Sequence, residues 1–389
     1  MSEKAHLSLA EKLFSVRNEG TRKVICILGL KIRFRTPRLV YRELNARLEA
    51  QAQDFNSKLI ALQQDHAHSL EIQAQSFTNE LSTRLEQQLQ LFNDVRGRLI
   101  YKIHEYCPDE KRVAALSDWF FEVTGETLNL ENPQSFNEKI QWLKLHESTP
   151  LKARLTDKYA VREWVKEKIG EQYLIPLLGV WDRFDDIDFD KLPEKFALKC
   201  NHGSGYNIIV TDKSKFDRGG AKRLITSWLN EDFAFRNGFE LHYSLIPRKI
   251  IAEEYIENRD RDLFDYKFWC FDGKVRYIQF LSERYTNAHG AQMAFYDRNW
   301  KKLDFVVAHP LDEKTISKPD NLDSMIELAE KLSQGFSYVR VDFYDVNNRI
   351  FFGEMTFTPD SGSGRWDPAE MNMTIGSMLN LPVNDRQPG

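Results

Sequence analysis

The sequence predicts an α+β protein with a long helix towards its N-terminus. Three observations predict it. Residues 38–96 contain neither glycine nor proline, as one uninterrupted helix requires. After Gly97, aromatic residues, glycine and proline return, and helical runs mix with alternating strand runs. Turn pairs such as Asp272-Gly273, between YKFWCF and KVRYIQF, signal antiparallel hairpins.

Residues 1–37 form a short basic leader that ends at Pro37. Within it VICIL and LKIRF flank Gly29 and predict a small β-hairpin. Leu30, Ile32 and Phe34 share one face of the second strand, and Lys31, Arg33 and Arg35 share the other. Residues 1–40 hold nine basic and three acidic side chains, a local charge of +6 in a chain of net charge −4. That basic face is either solvated or drawn to an anionic membrane surface or carrier.

Residues 38–104 predict the long helix, about 60 residues and about 90 Å at 1.5 Å per residue. Leu44, Leu48, Phe55, Leu59 and Leu62, then Leu70, Phe77, Leu81, Leu85, Leu89, Phe92 and Leu99, recur mostly at 3–4 spacing. A stripe that narrow needs a partner helix, so a homo-oligomeric coiled coil is expected, with a lone helix packed on its own body as the alternative. His66 interrupts the seam where the register shifts between Leu62 and Leu70.

Residues 105–375 read as the main globular body and 376–389 as a C-terminal tail. Helices are expected at Asp118–Val123, Phe136–His146 and Asp157–Ile169. Strands are expected in KFALKC, YNIIVTD, RKIIAEEYI, YKFWCF, KVRYIQF, YVRVDFYD and RIFFGEMTF.

Composition removes several classes of function. The longest early apolar run, Val24 to Leu30, is far shorter than a membrane span, and no small-residue cleavage site follows it. Four cysteines lie apart with no C-x-x-C pair, which excludes a zinc ribbon, a redox motif or a disulfide scaffold. The charge calls for no nucleic acid. A cytoplasmic protein is expected, with peripheral contact at the inner face of the membrane.

Four segments carry chemistry. In FALKCNHGSGYNIIV a strand ending near Lys199 enters Gly203-Ser204-Gly205, whose backbone N–H groups can approach phosphate oxygens beside a lysine charge; a plain turn is the alternative. In YVRVDFYDVNNRIFFGEMTFT the strands flank Asn347-Asn348, so residues summing to about 695 or 696 oppose one another. Asp342 and Glu354 are then neighbours, and two such carboxylates raise each other's pKa unless a cation intervenes. Hard oxygen ligands favour Mg²⁺, and Arg340 can reach an anion bound to it; a structural Arg–carboxylate cluster is the alternative. RKIIAEEYI can meet a purine edge, with Glu253 accepting from an exocyclic amine, or be an ordinary strand. Lys158 stands at the expected start of a helix, where the dipole disfavours a cation, so it is either a binding residue or a solvated lysine.

Taken in order, FNEKIQWLKL, DKYAVREWV, KCNHGSG, DYKFWCFDGKV and VRVDFYD…FGEMTFTPDSG resemble the ATP-grasp superfamily, and within it the TupA-like group of teichuronopeptide and capsular polysaccharide biosynthesis. The resemblance covers residues 115–370. FSVRNEGTRKVICILGLKIRF is similar to a leader found on capsule and lipopolysaccharide biosynthetic proteins.

The resemblance implies an ATP-grasp fold and ATP with Mg²⁺ as cofactors. It implies that Lys158 and Lys199 bind ATP phosphates from opposite sides of a cleft, under a loop of His202, Gly203, Ser204 and Gly205. Glu253, Tyr255 and Ile256 would meet adenine, Asp265 the ribose, and Lys267 the nucleotide or its phosphates. Arg340 would touch the transferred phosphate, and Arg284 would add a phosphate contact. Asp342 and Glu354 would hold Mg²⁺; Thr356 stands where superfamily members commonly have Asn. Ser361, Gly362 and Ser363 would bind the acceptor. The implied activity joins a carboxylate, a uronic acid of a surface polysaccharide or sugar-acid precursor, to an amino acid or small amine. Two other classes compete. One is a glycosyltransferase of the same pathway, for which no D-x-D stands in a convincing setting; Asp186-Ile187-Asp188 lies in an expected exposed loop. The other is a catalytically dead scaffold on a coiled coil.

Overall fold

The computed structural model describes residues 14–19, 22–27, 30–34, parts of 46–54, 70–257, 263–282, 292–307 and 316–382. The register shift near His66, Arg284 and residues 383–389 lie outside the described residues. The chain divides into two units, Met1–Arg98 and Leu99–Gly389.

In the first unit, β1 (Phe14–Glu19), β2 (Arg22–Ile27) and β3 (Leu30–Phe34) form an antiparallel sheet in that order. The expected hairpin corresponds to β2 and β3, with Ile27 opposite Leu30. The sequence reading missed β1, because Arg17-Asn18-Glu19 ends the strand FSVRNE in polar residues that hide its alternation. Helix α1 (Leu70–Glu105) covers the C-terminal part of the range expected to be helical; residues 55–69 of that range lie outside the described residues. Its Leu85, Leu89 and Leu91 are exposed.

The second unit begins inside α1, not at the expected 104/105 boundary. Leu99, Tyr101 and His104 are buried, and the Tyr101 hydroxyl accepts from the Asp232 N–H at 3.0 Å. Helix α2 (Arg112–Thr124) ends on Gly125 at φ 77°, a left-handed cap that favours glycine. Helix α3 (Phe136–His146) starts on a capping box between Ser135 and Glu138 and buries Phe136, Ile140 and Leu143. Helices α4 (Pro150–Thr156) and α5 (Val161–Lys168) follow.

Strands β4 (Leu177–Trp181), β5 (Phe196–Cys200), β6 (Asn207–Val210) and β7 (Ile250–Glu254) form an antiparallel sheet in the order β4-β7-β5-β6. Helix α6 (Arg218–Asn230) adds Ala221 and Ile225 to its core, beside Phe196, Leu198 and Ala252.

The larger sheet uses β8 (Asp265–Phe271), β9 (Lys274–Ser282), β10 (Gln292–Tyr296) and β11 (Lys302–Leu303), then, beyond β12 (Val306–Val307) and α7 (Leu322–Leu332), β13 (Tyr338–Val346) and β14 (Arg349–Thr356). Its order is β11-β10-β9-β8-β13-β14. The turns at Asp272-Gly273 (φ 48° and 71°) and Asn347-Asn348 (φ 52° and 62°) are left-handed at both central residues, which suits the strand twist. Phe268, Val341 and Phe343 pack with Met325 and Ala329 of α7 in one core cluster. Period-2 alternation sends Arg340, Asp342 and Tyr344 to the opposite face.

Strand β15 (Trp366–Asp367) pairs with β12, and α8 (Met371–Gly376) closes the described chain. The expected tail from 376 is not free at its start. Leu379 is fully buried, and Lys139 Nζ donates to the Gly376 and Leu379 carbonyls at 2.9 Å each.

Burial holds three histidines of this unit uncharged. It pushes His104 down to about 4 and His242 down to about 3, and it lowers His202. An unfolded chain takes up protons at these sites below pH about 6.5, whereas the folded chain does not. Stability contributed here is complete above that pH and is lost as the pH falls towards the folded values. His104 and His242 should each cost about 3 kcal/mol at pH 4. Urea melts at pH 7.5 and 5.0 should show the lower midpoint at pH 5.0.

Candidate functional site

A cavity of about 540 Å³ opens between the four-stranded and six-stranded sheets. Its floor is the face of the larger sheet that alternation turns away from α7. The floor runs in three bands. Tyr344 and Phe352 supply an aromatic band. Asp265, Lys267, Asp342 and Glu354 supply a charged band. Past Arg340 and Thr356, the chain leaving β14 supplies Thr358, Asp360 and Ser361.

The charged band is held by strand register. Asp342 lies directly opposite Glu354 on β14 and opposite Lys267 on β8, and Arg340 lies opposite Thr356. Arg340 donates to both Asp342 oxygens at 2.8 Å, a bidentate fork, and to Glu354 and Thr356 at 3.1 Å. Lys267 Nζ bridges Asp342 at 2.5 Å and Asp265 at 2.6 Å. The Thr356 hydroxyl donates to Glu354 at 3.1 Å.

The two carboxylates do not shift together, as their proximity alone suggested. Burial raises the Asp342 pKa, and Arg340 and Lys267 pull it back. Burial also opposes ionisation of Glu354, but Lys158, Arg340 and Lys267 outweigh it and hold the carboxyl well below the usual range. Glu354 is the half-exposed member of the pair, within reach of a third cation.

The opposite wall is built from turns. Asp157 caps α4 in an extended conformation, and its Oδ1 accepts from the Tyr159 and Ala160 N–H groups at 2.8 and 3.2 Å. This side-chain turn delays α5 until Val161, so Lys158 sits in a turn before the helix and the dipole reasoning does not apply to it. Lys158 Nζ donates to the Gly203 carbonyl at 2.9 Å and lies 3.4 Å from Glu354. Asn201 joins the same knot, donating to Asp157 at 2.8 Å and accepting from the Lys249 N–H at 2.7 Å.

The glycine loop bridges β5 and β6. Gly203 leaves no room for a side chain, since a Cβ there would fall 2.6 Å from the Tyr206 ring. Gly205 takes a φ of 74°. Lys199 Nζ sits 2.7 Å from Glu253 Oε2, and Arg162 donates to Glu253 Oε1 at 3.1 Å.

The cavity therefore gathers Lys158, Lys199, Ser204, Gly205, Glu253 and Ser361 with the charged band. Other expected residues do not line it. The His202 side chain turns into the core against Tyr206, with Nε2 at 2.9 Å from the Trp228 carbonyl. Tyr255 lies under Lys195, and Ile256 packs with Ile175 and Phe351. The Glu253 carboxylate does line the cavity and pairs there with Lys199 and Arg162. Gly362 is buried against Gln141, and Ser363 bonds back to Asp360.

The sequence reading missed Arg162 and Glu240. Arg162 lies four residues after Lys158, a spacing that would have put both on one side of a helical turn. Glu240, between two short 3₁₀ turns, carries no local pattern that distinguishes it.

A family model for the TupA-like ATP-grasp proteins matches residues 138–380, which is more than half of the chain. The chain belongs to the TupA-like ATP-grasp family. ATP-grasp enzymes use ATP and Mg²⁺. No curated protein matches the chain.

Among solved structures, the ATP complex of D-alanine–D-alanine ligase from Bacillus anthracis matches at 16% identity over 58% of this chain and 63% of its own, with a TM-score of 0.33. Biotin carboxylase from Campylobacter jejuni matches at 15% identity over 59% and 48%, with a TM-score of 0.34. Phosphoribosylamine–glycine ligase from Thermotoga maritima matches at 11% identity over 52% and 48%, also at 0.34. The chain thus spans about half to two thirds of each of these proteins. Likeness at this level carries no argument about substrates.

Proposed function

We propose that the protein is an ATP-dependent carboxylate–amine ligase acting on a uronic acid of a surface polysaccharide or its sugar-acid precursor, with an amino acid or small amine as acceptor. One observation carries this reading. Five cations, Lys158, Arg162, Lys199, Lys267 and Arg340, converge on one cavity, each held by a carboxylate that phosphate oxygens can replace as partner.

The residues fit Mg²⁺. Among the described residues no group of three His, Cys, Asp or Glu side chains forms a complete metal site. Two facing carboxylates suit a metal that fills its shell with phosphate oxygens and water. Asp342 and Glu354 would hold it, with Thr356 beside them. Bound ATP supplies the phosphoryl group that turns a poor electrophile, the carboxylate, into a reactive one. Lys158, Lys199 and the glycine loop would bind the phosphates, and Lys267 and Asp265 the nucleotide nearer the sheet. Arg340 would stabilise charge on the transferred group. Arg162 joins Lys199 in orienting Glu253.

Nothing favours a glycosyltransferase. Asp186 and Asp188 are exposed and lie outside the cavity lining. The test measures ADP and phosphate release with uronic-acid glycans and a panel of amines. Release should need both substrates and fall at least about 100-fold in Asp342→Ala and Lys199→Ala, the order expected for lost charge stabilisation. Unchanged release in both variants would sink the proposal.

The exposed leucines of α1 support a coiled-coil homo-oligomer, and the basic leader supports contact at the inner face of a membrane. No helix among the described residues is long and apolar enough to cross a membrane. Removing residues 1–98 should reduce the mass found by light scattering to that of one chain. An unchanged subunit number would count against the coiled coil.

A further inference from the structure

The third band of the cavity differs from the charged band in one respect. Four lining carboxylates are buried: Glu240, Glu253, Asp265 and Asp342. Three of them contact a cation, at 2.7 Å for Glu253, 2.6 Å for Asp265 and 2.5 Å for Asp342. Among the described residues no cation contacts Glu240. Its partners are neutral: the Thr358 hydroxyl on Oε1 and the Ser361 hydroxyl at 2.6 Å on Oε2. Each carboxylate oxygen accepts more than one hydrogen bond, so Glu240 keeps acceptor capacity towards the cavity.

Its place is built with care. Gly238 and Phe239 are both left-handed, at φ 70° and 49°, and Phe239 is an uncommon residue for that region. A Cβ on Gly238 would fall 2.6 Å from the Trp119 ring. The turn thus aims Glu240 at the cavity, and its N–H is fixed on the Ala234 carbonyl at 2.8 Å. The facing loop is also strained, with Asp360 and Ser361 at φ 48° and 52°. Lys144, fully buried behind that loop, gives its three protons to Gln141 Oε1, the Asn237 carbonyl and the Ser361 carbonyl, at 2.9, 3.1 and 3.0 Å. It lies outside the cavity lining and makes no hydrogen bond to Glu240. Burial raises the Glu240 pKa even though the Lys144 charge pulls it down.

We propose that Glu240, held by Thr358 and Ser361, is the specificity residue of an amine subsite, where the second substrate binds through its protonated ammonium. The inference rests on the ligase reading and deepens it. Cations crowd the charged band and suit the phosphates and the acid. The only charged side chains lining the band beyond Thr356 are acidic, Glu240 and the exposed Asp360, so an anionic substrate is repelled there and an ammonium is drawn in.

The test is isothermal titration of the full chain. A non-hydrolysable ATP analogue with Mg²⁺ is titrated first, and its failure to bind the wild type would strike the ligase reading itself. Ethanolamine and glycinamide are then titrated onto the loaded protein, each against its uncharged hydroxyl counterpart, ethylene glycol or glycolamide. Both ammonium probes should bind at least about tenfold more tightly than their counterparts, the effect of one charged hydrogen bond. Glu240→Gln should erase that preference and change the analogue's affinity by less than about twofold. Equal binding by the hydroxyl counterparts, an intact preference in Glu240→Gln, or no binding by either ammonium probe overturns the inference. The wild-type comparison needs no variant, so it decides the matter even where Glu240→Gln fails to fold.

Discussion

Arg340→Ala should unfold at lower denaturant than the wild type, with a loss of about 3–5 kcal/mol, and should release no ADP. The size follows from what Arg340 holds. Its fork carries both oxygens of Asp342, and Nη2 also reaches Glu354 and Thr356. Alanine leaves a buried carboxylate with only Lys267, and leaves Glu354 facing it across the strand pair without the cation that separated them. Arg340→Lys keeps the charge without the planar fork, so it should recover part of the stability and little of the turnover. Urea melts beside ADP assays separate the two effects. Stability equal to the wild type in Arg340→Ala would mean that the carboxylates do not depend on the guanidinium.

Lys144→Met should cost about 3 kcal/mol, although methionine nearly preserves the volume. The ammonium is fully buried over the Trp119 ring at 4.5 Å, and burial pushes its pKa down to about 7. Three acceptors would lose their donor, and Glu240 would lose the only buried cation that offsets its charge. The Ser361 carbonyl would then rest on Gln141 alone, at 2.9 Å. The loop should loosen, so amide exchange at residues 359–363 should quicken while exchange in β13 stays slow. Uniform exchange changes across both would contradict a local role.

These two residues mark what the sequence discloses and what it hides. Arg340, Asp342 and Glu354 were legible to within one residue, because strand alternation and an Asn-Asn turn set the approximate face and register, and a register shift between Asp342 and Phe343 then brings Glu354 rather than Gly353 opposite Asp342. Helix α3 was legible from end to end because a capping box starts it and its apolar positions share one face. Lys158 was placed in a helix because an Asp157 side-chain turn looks, in sequence, like a helix cap. Lys144 lies in WLKL, where periodicity offers no reason to bury an ammonium. Its burial depends on carbonyls from Asn237 and Ser361, far along the chain. Glu240 was hidden for the same reason, since its hydroxyl partners lie more than a hundred residues away. Buried polar contacts between distant segments leave no local pattern.

The central claim is that the cavity between the sheets binds ATP with Mg²⁺ through Lys199 and the Asp342–Glu354 pair. Titrating ADP onto the full chain, with and without Mg²⁺, tests it most directly. Binding should strengthen with the metal, weaken at least about tenfold in Lys199→Ala, and lose its metal dependence in Asp342→Asn. ADP binding that ignores both the metal and these two substitutions would contradict the claim.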